Sequence, residues 1–108
     1  MRYLDEATAL ARQMVDLAAR FGRRAVAVLT SMDQPLGRAV GNAIEVNEAV
    51  AVLGGGGAAV LRDLSLDLAT HAIQAATGDS QATTPIRASL AQLLADGSAL
   101  ERFAALIQ

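Results

Sequence analysis

Apolar residues recur every three to four positions over five separate stretches of the chain, and each stretch predicts an amphipathic helix. In the first, Leu4, Ala7, Ala11, Met14, Ala18 and Phe21 form one stripe. Asp5 and Glu6 fall in its first turn, where carboxylates suit the positive end of the helix dipole. Gly22 stands where a left-handed residue would end the helix, with Arg20, Arg23 and Arg24 near the negative end. Leu10 and Leu17 lie off the stripe, so this helix is expected to be covered on more than one side. The second helix is expected to start at an Asn42 cap and run to Leu53, carrying Ala43, Val46, Ala49, Val50 and Leu53. Glu45, three residues after Asn42, would complete a capping box. The third spans Ala59 to Ala76 on Leu61, Leu64, Leu68, Ala72 and Ala75. The fourth starts near Pro85 with Thr84 as its cap and ends by Ala95, before Gly97. The fifth covers Ala99–Ile107, with Ser98 and Glu101 placed for a second capping box.

One stretch breaks the helical period. Ala25–Thr30, AVAVLT, is short and apolar without alternation, which is how a strand buried on both faces reads. A helix, a short loop and such a strand make half of an α/β repeat. The expected fold is therefore an α/β fragment that is predominantly helical, with about five helices and one strand belonging to a larger sheet. One strand is not a sheet, and alone it leaves two edges open to pairing with another chain. The whole of 1–108 reads as a single partial domain. Gly54–Gly57 is a run of four glycines with no P-loop Lys-Ser/Thr after it, and it reads as a flexible joint between two helices.

Composition narrows what such a domain can do. Apolar residues make up 53% of the chain but aromatic residues only 3%, so the core must be built from Ala, Leu, Val and Ile. The net charge is −2, all nine basic residues are arginine, and none of them gathers into a stripe with aromatic neighbours. That pattern argues against nucleic acid as a partner. With no cysteine and one histidine there is no thiol nucleophile, no disulfide and no Cys- or His-rich metal site. No apolar run reaches the ~20 residues that span a bilayer. The N-terminal MRYLDEATALARQ lacks the apolar core of a signal peptide, and a cytoplasmic protein is expected. The apolar ending FAALIQ looks cut rather than tapered into a polar tail.

Candidate chemistry is sparse. Ser31–Gly41 reads as an irregular loop bent by Pro35, Gly37 and Gly41, and Glu45 and Glu48 follow on the next helix. On residue physics alone Glu45 is a cap and Glu48 a solvated face. Asp63 and Asp67 are like charges at i, i+4 with no evident partner, again a solvated face. His71 has no spaced second ligand and no nucleophile beside it, and reads as structural.

The run LTSMDQPLGRAVGNAIEVNEAVAVL, Leu29–Leu53, closely resembles the pyrimidine-nucleoside and thymidine phosphorylases. The likeness extends over LDEATALARQMVDLAARFGRRAVAVLT before it, and over LRDLSLDLATHAI and LADGSALERFAALIQ after it. It is least distinctive at Gly54–Ala59 and Thr77–Ala88. Members of that family phosphorolyse pyrimidine nucleosides reversibly to the free base and a pentose 1-phosphate, and are generally homodimers with a small helical and a large α/β domain. The resemblance implies that this chain corresponds to the second part of the α/β domain, with Met1 matching an internal position. It also implies that the family's lysine–histidine–serine phosphate loop, and its base-binding arginine, serine and lysine, lie outside these residues. No catalytic and no substrate-binding residue is therefore assigned to the chain, which is expected to be inactive alone.

One assignment does carry over by resemblance. A potassium ion in the family's enzymes is held at positions matching Leu36 and Ala39, through backbone carbonyls, and Glu48, through its carboxylate. The rest of its ligands belong to the outside loop, so no bound cofactor is expected in the isolated chain. The expected partners are the remainder of such an enzyme or a second copy, with nucleoside and phosphate engaged only by the complete assembly. An independent helical interaction module is the alternative. A related phosphoribosyltransferase is a more distant reading, since its diphosphate loop is also absent.

Overall fold

A computed structural model of the chain describes residues 3–78 and 83–108. Among them are five helices: α1 (Leu4–Arg20), α2 (Asn42–Leu53), α3 (Ala59–Thr77), α4 (Thr83–Ala95) and α5 (Ser98–Leu106). All five stretches with helical period become helices close to their expected bounds. The strand does not form. Residues 23–30 have no regular structure, and Val26, Val28 and Leu29 are 54%, 38% and 45% exposed. The described residues contain no strand at all, so the expected α/β fragment is an all-helical one. The physical reason is pairing: an apolar β-prone run becomes a strand only when a neighbour accepts and donates its ladder hydrogen bonds. No described residue offers such a neighbour.

The helices end as the glycines direct. At the end of α1, Gly22 takes φ +65°. Its N–H donates to the Ala19 carbonyl, and that of Arg23 to the Ala18 carbonyl. This nested pair is a Schellman ending. The same device closes α2: Gly55, at φ +86°, donates to Val52 O, and Gly56 donates to Ala51 O. The glycine run is thus a built turn. Gly57 lies so close beneath α2 that a Cβ there would come within 2.5 Å of Val52 Cγ2.

Helix starts depart from the sequence expectation. Gly41, at φ +133°, precedes α2, Asn42 is its first helical residue, and no side chain caps this end. The Asn42–Glu45 box is not made. Nor does Ser98 cap α5: Gly97 occupies that position, and the Ser98 N–H instead donates to Asp96 Oδ1 at 2.9 Å. For α4, helical structure is present from Thr83, which puts Pro85 in the first turn; the residues before it lie outside the described set.

Packing is uneven. Helices α3 and α4 run antiparallel and make the most extensive contact, α5 closes against α4, and α2 leans on α5. Val52, Ala58 and Leu66 form the buried apolar centre. Thr70 is buried beside them, its hydroxyl donating to Leu66 O at 2.7 Å. A cleft of about 310 Å³ remains among α2–α5, lined by Val52, Leu61, Leu66, Leu90, Leu94 and Ala99. Helix α1 instead turns Ala7, Ala11 and Val15 toward the irregular stretch 25–33. Leu4, Met14 and Phe21 from the same expected stripe stay 71%, 62% and 76% exposed. The chain exposes 8263 Å², whereas a compact protein of 11.1 kDa exposes roughly 5,700 Å². Its radius of gyration is 15.8 Å, against roughly 13 Å for a compact domain of this length.

Candidate functional site

The loop before α2 and the second turn of that helix meet through one side chain. Glu48 projects from α2 back over residues 36–39 and is half-buried there. Its Oε1 accepts the Arg38 N–H at 2.8 Å, and its Oε2 accepts the same N–H at 3.1 Å and the Ala39 N–H at 2.9 Å. Gly37 makes the approach possible. It adopts φ +81°, a left-handed conformation, and a Cβ at this position would lie 2.5 Å from Glu48 Oε2 and 2.9 Å from its carboxyl carbon. The reading of Glu48 as a solvated face is therefore corrected: this carboxylate binds backbone. Glu45, on the first turn, remains exposed.

Of the three positions assigned by resemblance, two are in direct contact. Ala39 is bonded to Glu48 directly, and Leu36 adjoins the glycine under the carboxylate. Their chemistry suits a hard monovalent cation, which takes oxygen ligands from a carboxylate and backbone carbonyls. Glu48 is the acidic side chain bonded to residues 38 and 39, and among the described residues no group of three or more His, Cys, Asp or Glu side chains is placed to hold a metal. Any cation here would depend on the loop backbone for most of its ligands.

The other polar candidates resolve into packing. Asp63 and Asp67 share a partner on α4: Arg87 Nε donates to Asp67 Oδ1 at 2.9 Å, and Arg87 Nη2 lies 3.7 Å from Asp63 Oδ1. Arg62 adds a 3.3 Å contact to Asp63. These aspartates are therefore a helix–helix tie rather than a bare solvated face. The sign that could have found it is one arginine on the helix predicted to fold back along them. His71 Nδ1 lies 3.2 Å from Gln74 Oε1, and Gln74 Nε2 donates to Thr83 Oγ1 at 2.8 Å. The histidine is thus part of a chain linking α3 to α4, as its structural reading expects. Arg24 Nη2 donates to the Ala76 carbonyl at 2.7 Å, near the C-terminal end of α3. That is where a cation complements the helix dipole.

No family model matches the chain. Comparison with curated proteins is decisive instead. A pyrimidine-nucleoside phosphorylase of Geobacillus stearothermophilus is 42% identical over 103 residues, which is 95% of this chain. Two Staphylococcus aureus enzymes of the same name, from strains USA300 and NCTC 8325 / PS 47, are 38% identical over all 108 residues. The chain belongs to the pyrimidine-nucleoside phosphorylase family. It spans about a quarter of the length of these relatives, 24% of the first and 25% of the others. No described helix is long and apolar enough to cross a membrane.

Proposed function

We propose that this chain forms one wall of a pyrimidine-nucleoside phosphorylase, an enzyme that uses phosphate to split pyrimidine nucleosides reversibly into free base and pentose 1-phosphate. The observation that carries this reading is identity of 38–42% along essentially the whole chain, against about a quarter of each relative. In this reading the chain is not catalytic by itself. Phosphorolysis needs positioned charge around phosphate and an oxocarbenium-like sugar. A chain without lysine offers little of it, with Arg87 engaged by carboxylates and Arg24 by a carbonyl. Leu36 and Ala39, through their carbonyls, and Glu48 would help hold a potassium ion in the complete enzyme.

The test is complementation. The purified chain, given thymidine or uridine with phosphate, should release no base. Mixed with a Geobacillus enzyme deleted for its matching segment, it should restore phosphate-dependent release. Turnover by the chain alone would defeat the claim of inactivity, and failure to complement would count against the wall role. Potassium should leave the melting temperature of the isolated chain no higher than a sodium or choline control does.

The second reading is an independent helical interaction module, favoured by the small core that α2–α5 build for themselves. Both readings predict association through the exposed apolar surface. Sedimentation as a clean monomer would oppose that prediction.

A further inference from the structure

Two consecutive backbone N–H groups that converge on one point form a small concavity with positive potential, a nest suited to an anion. Arg38 and Ala39 supply such a pair, and Gly37 at φ +81° bends the chain so that both face the same carboxylate. The occupant is the chain's own Glu48, with three N···O distances of 2.8–3.1 Å. Charge-assisted hydrogen bonds of this kind are about twice as strong as neutral ones. The space is matched as well as the charge, since a single added carbon at Gly37 would overlap the carboxylate.

We propose that residues 37–39 form an oxyanion nest plugged by Glu48, so that Glu48 is the positioning residue for this loop and a small oxyanion can take its place once the side chain is removed. The ligand class follows from the occupant: a planar carboxylate such as formate, or a tetrahedral oxyanion such as orthophosphate, each offering acceptor oxygens to the two N–H groups. No cation is required for the nest to hold. The plug explains why a half-buried glutamate on a helix is turned toward backbone donors rather than water. It also gives the loop a defined shape before any further part of a phosphorylase is added.

The test reads the Arg38 and Ala39 amide resonances of the full 108-residue chain. In the unsubstituted protein, formate or orthophosphate should move neither, because the nest is filled. In Glu48→Ala both should shift upfield toward values of freely hydrated amides, and excess formate should return them toward their original positions; orthophosphate in a parallel titration reports whether the nest also takes the tetrahedral ion. Glu48→Gln keeps the volume, so formate should have no effect on it. Gly37→Ala should displace the carboxylate and shift the same two amides without removing any charge. Far-ultraviolet circular dichroism identifies any variant whose helices are lost. Glu48→Ala amides that stay at their original positions would overturn the proposal, as would a helical Glu48→Ala protein in which neither anion restores them. Unchanged amides in Gly37→Ala, whose fold does not depend on losing Glu48, would also sink it.

Discussion

The residues before α2 and those from α2 onward are about equally apolar in sequence but differ in what they bury. From Asn42 on, Val52, Ala58, Leu66 and Thr70 are buried, and α3 and α4 are tied by Arg87 to two aspartates. From Tyr3 to Gly41 no described residue is buried, and Tyr3, Leu4, Met14, Phe21, Val26, Met32 and Val40 are each more than half exposed. The difference lies in partners and not in residue type. Helices can cover one another once a turn folds them back, as Gly54–Gly57 does. A β-prone segment beside a single helix has nothing to complete it.

This contrast predicts regionally different stability, and substitutions should expose it. Leu66→Ala removes the side chain at the centre of α2–α5, and a deletion of that kind costs about 2–5 kcal/mol. The exposed Val26→Ala and Leu4→Ala should each change stability by no more than about 0.5 kcal/mol. Urea titration of the three proteins checks this; equal losses at Leu66 and Val26 would erase the distinction.

Trypsin gives a second reading, since every basic side chain is arginine. Early cuts should fall at Arg23, and cleavage after Arg62 and Arg87 should be slower by about tenfold, because the latter bonds lie in packed helices that must open first. Mass spectrometry of early digests decides.

Arg87→Ala should cost about 1 kcal/mol or less, because all three partners are substantially exposed, and strong salt should shrink the difference. The smallest effect concerns Asp96. Its carboxyl is held below the ordinary value of 3.8 by hydrogen bonds from Ser98, first from the hydroxyl and then from the backbone N–H. A lowered folded value means that the contribution to stability is present above the unfolded value and fades as pH falls through the folded one. The start of α5 should therefore loosen below about pH 4, followed through the Ser98 amide, and Asp96→Asn should flatten that dependence.

The helical period placed all five helices, because amphipathic stripes and terminal glycines are local signals. The bounds shifted by a residue or two where caps were expected from Asn42 and Ser98, since Gly41 and Gly97 take those positions instead. Ala25–Thr30 misled because its composition describes an environment that the described residues do not supply. At the candidate site, the resemblance named Leu36, Ala39 and Glu48, and the fold joins Glu48 to the N–H of Ala39. What the sequence hid is the direction of contact. A glutamate ten residues after Arg38 gives no sign that it reaches back to that residue's N–H, and Gly37 reads as a bend before it reads as clearance for a carboxylate.

The Arg24 contact at the end of α3 has a consequence for the order of assembly. It closes a loop 52 residues long, whereas the Glu48 contact to Arg38 closes one of 10. Closure entropy grows as the logarithm of length, so the longer loop is harder to close by about 1.5 kcal/mol. The short clasp should therefore form early and survive most fluctuations. The long one should close only after α3 is standing, and should be the first to open, releasing residues 23–30 from the helical core while α2–α5 remain folded.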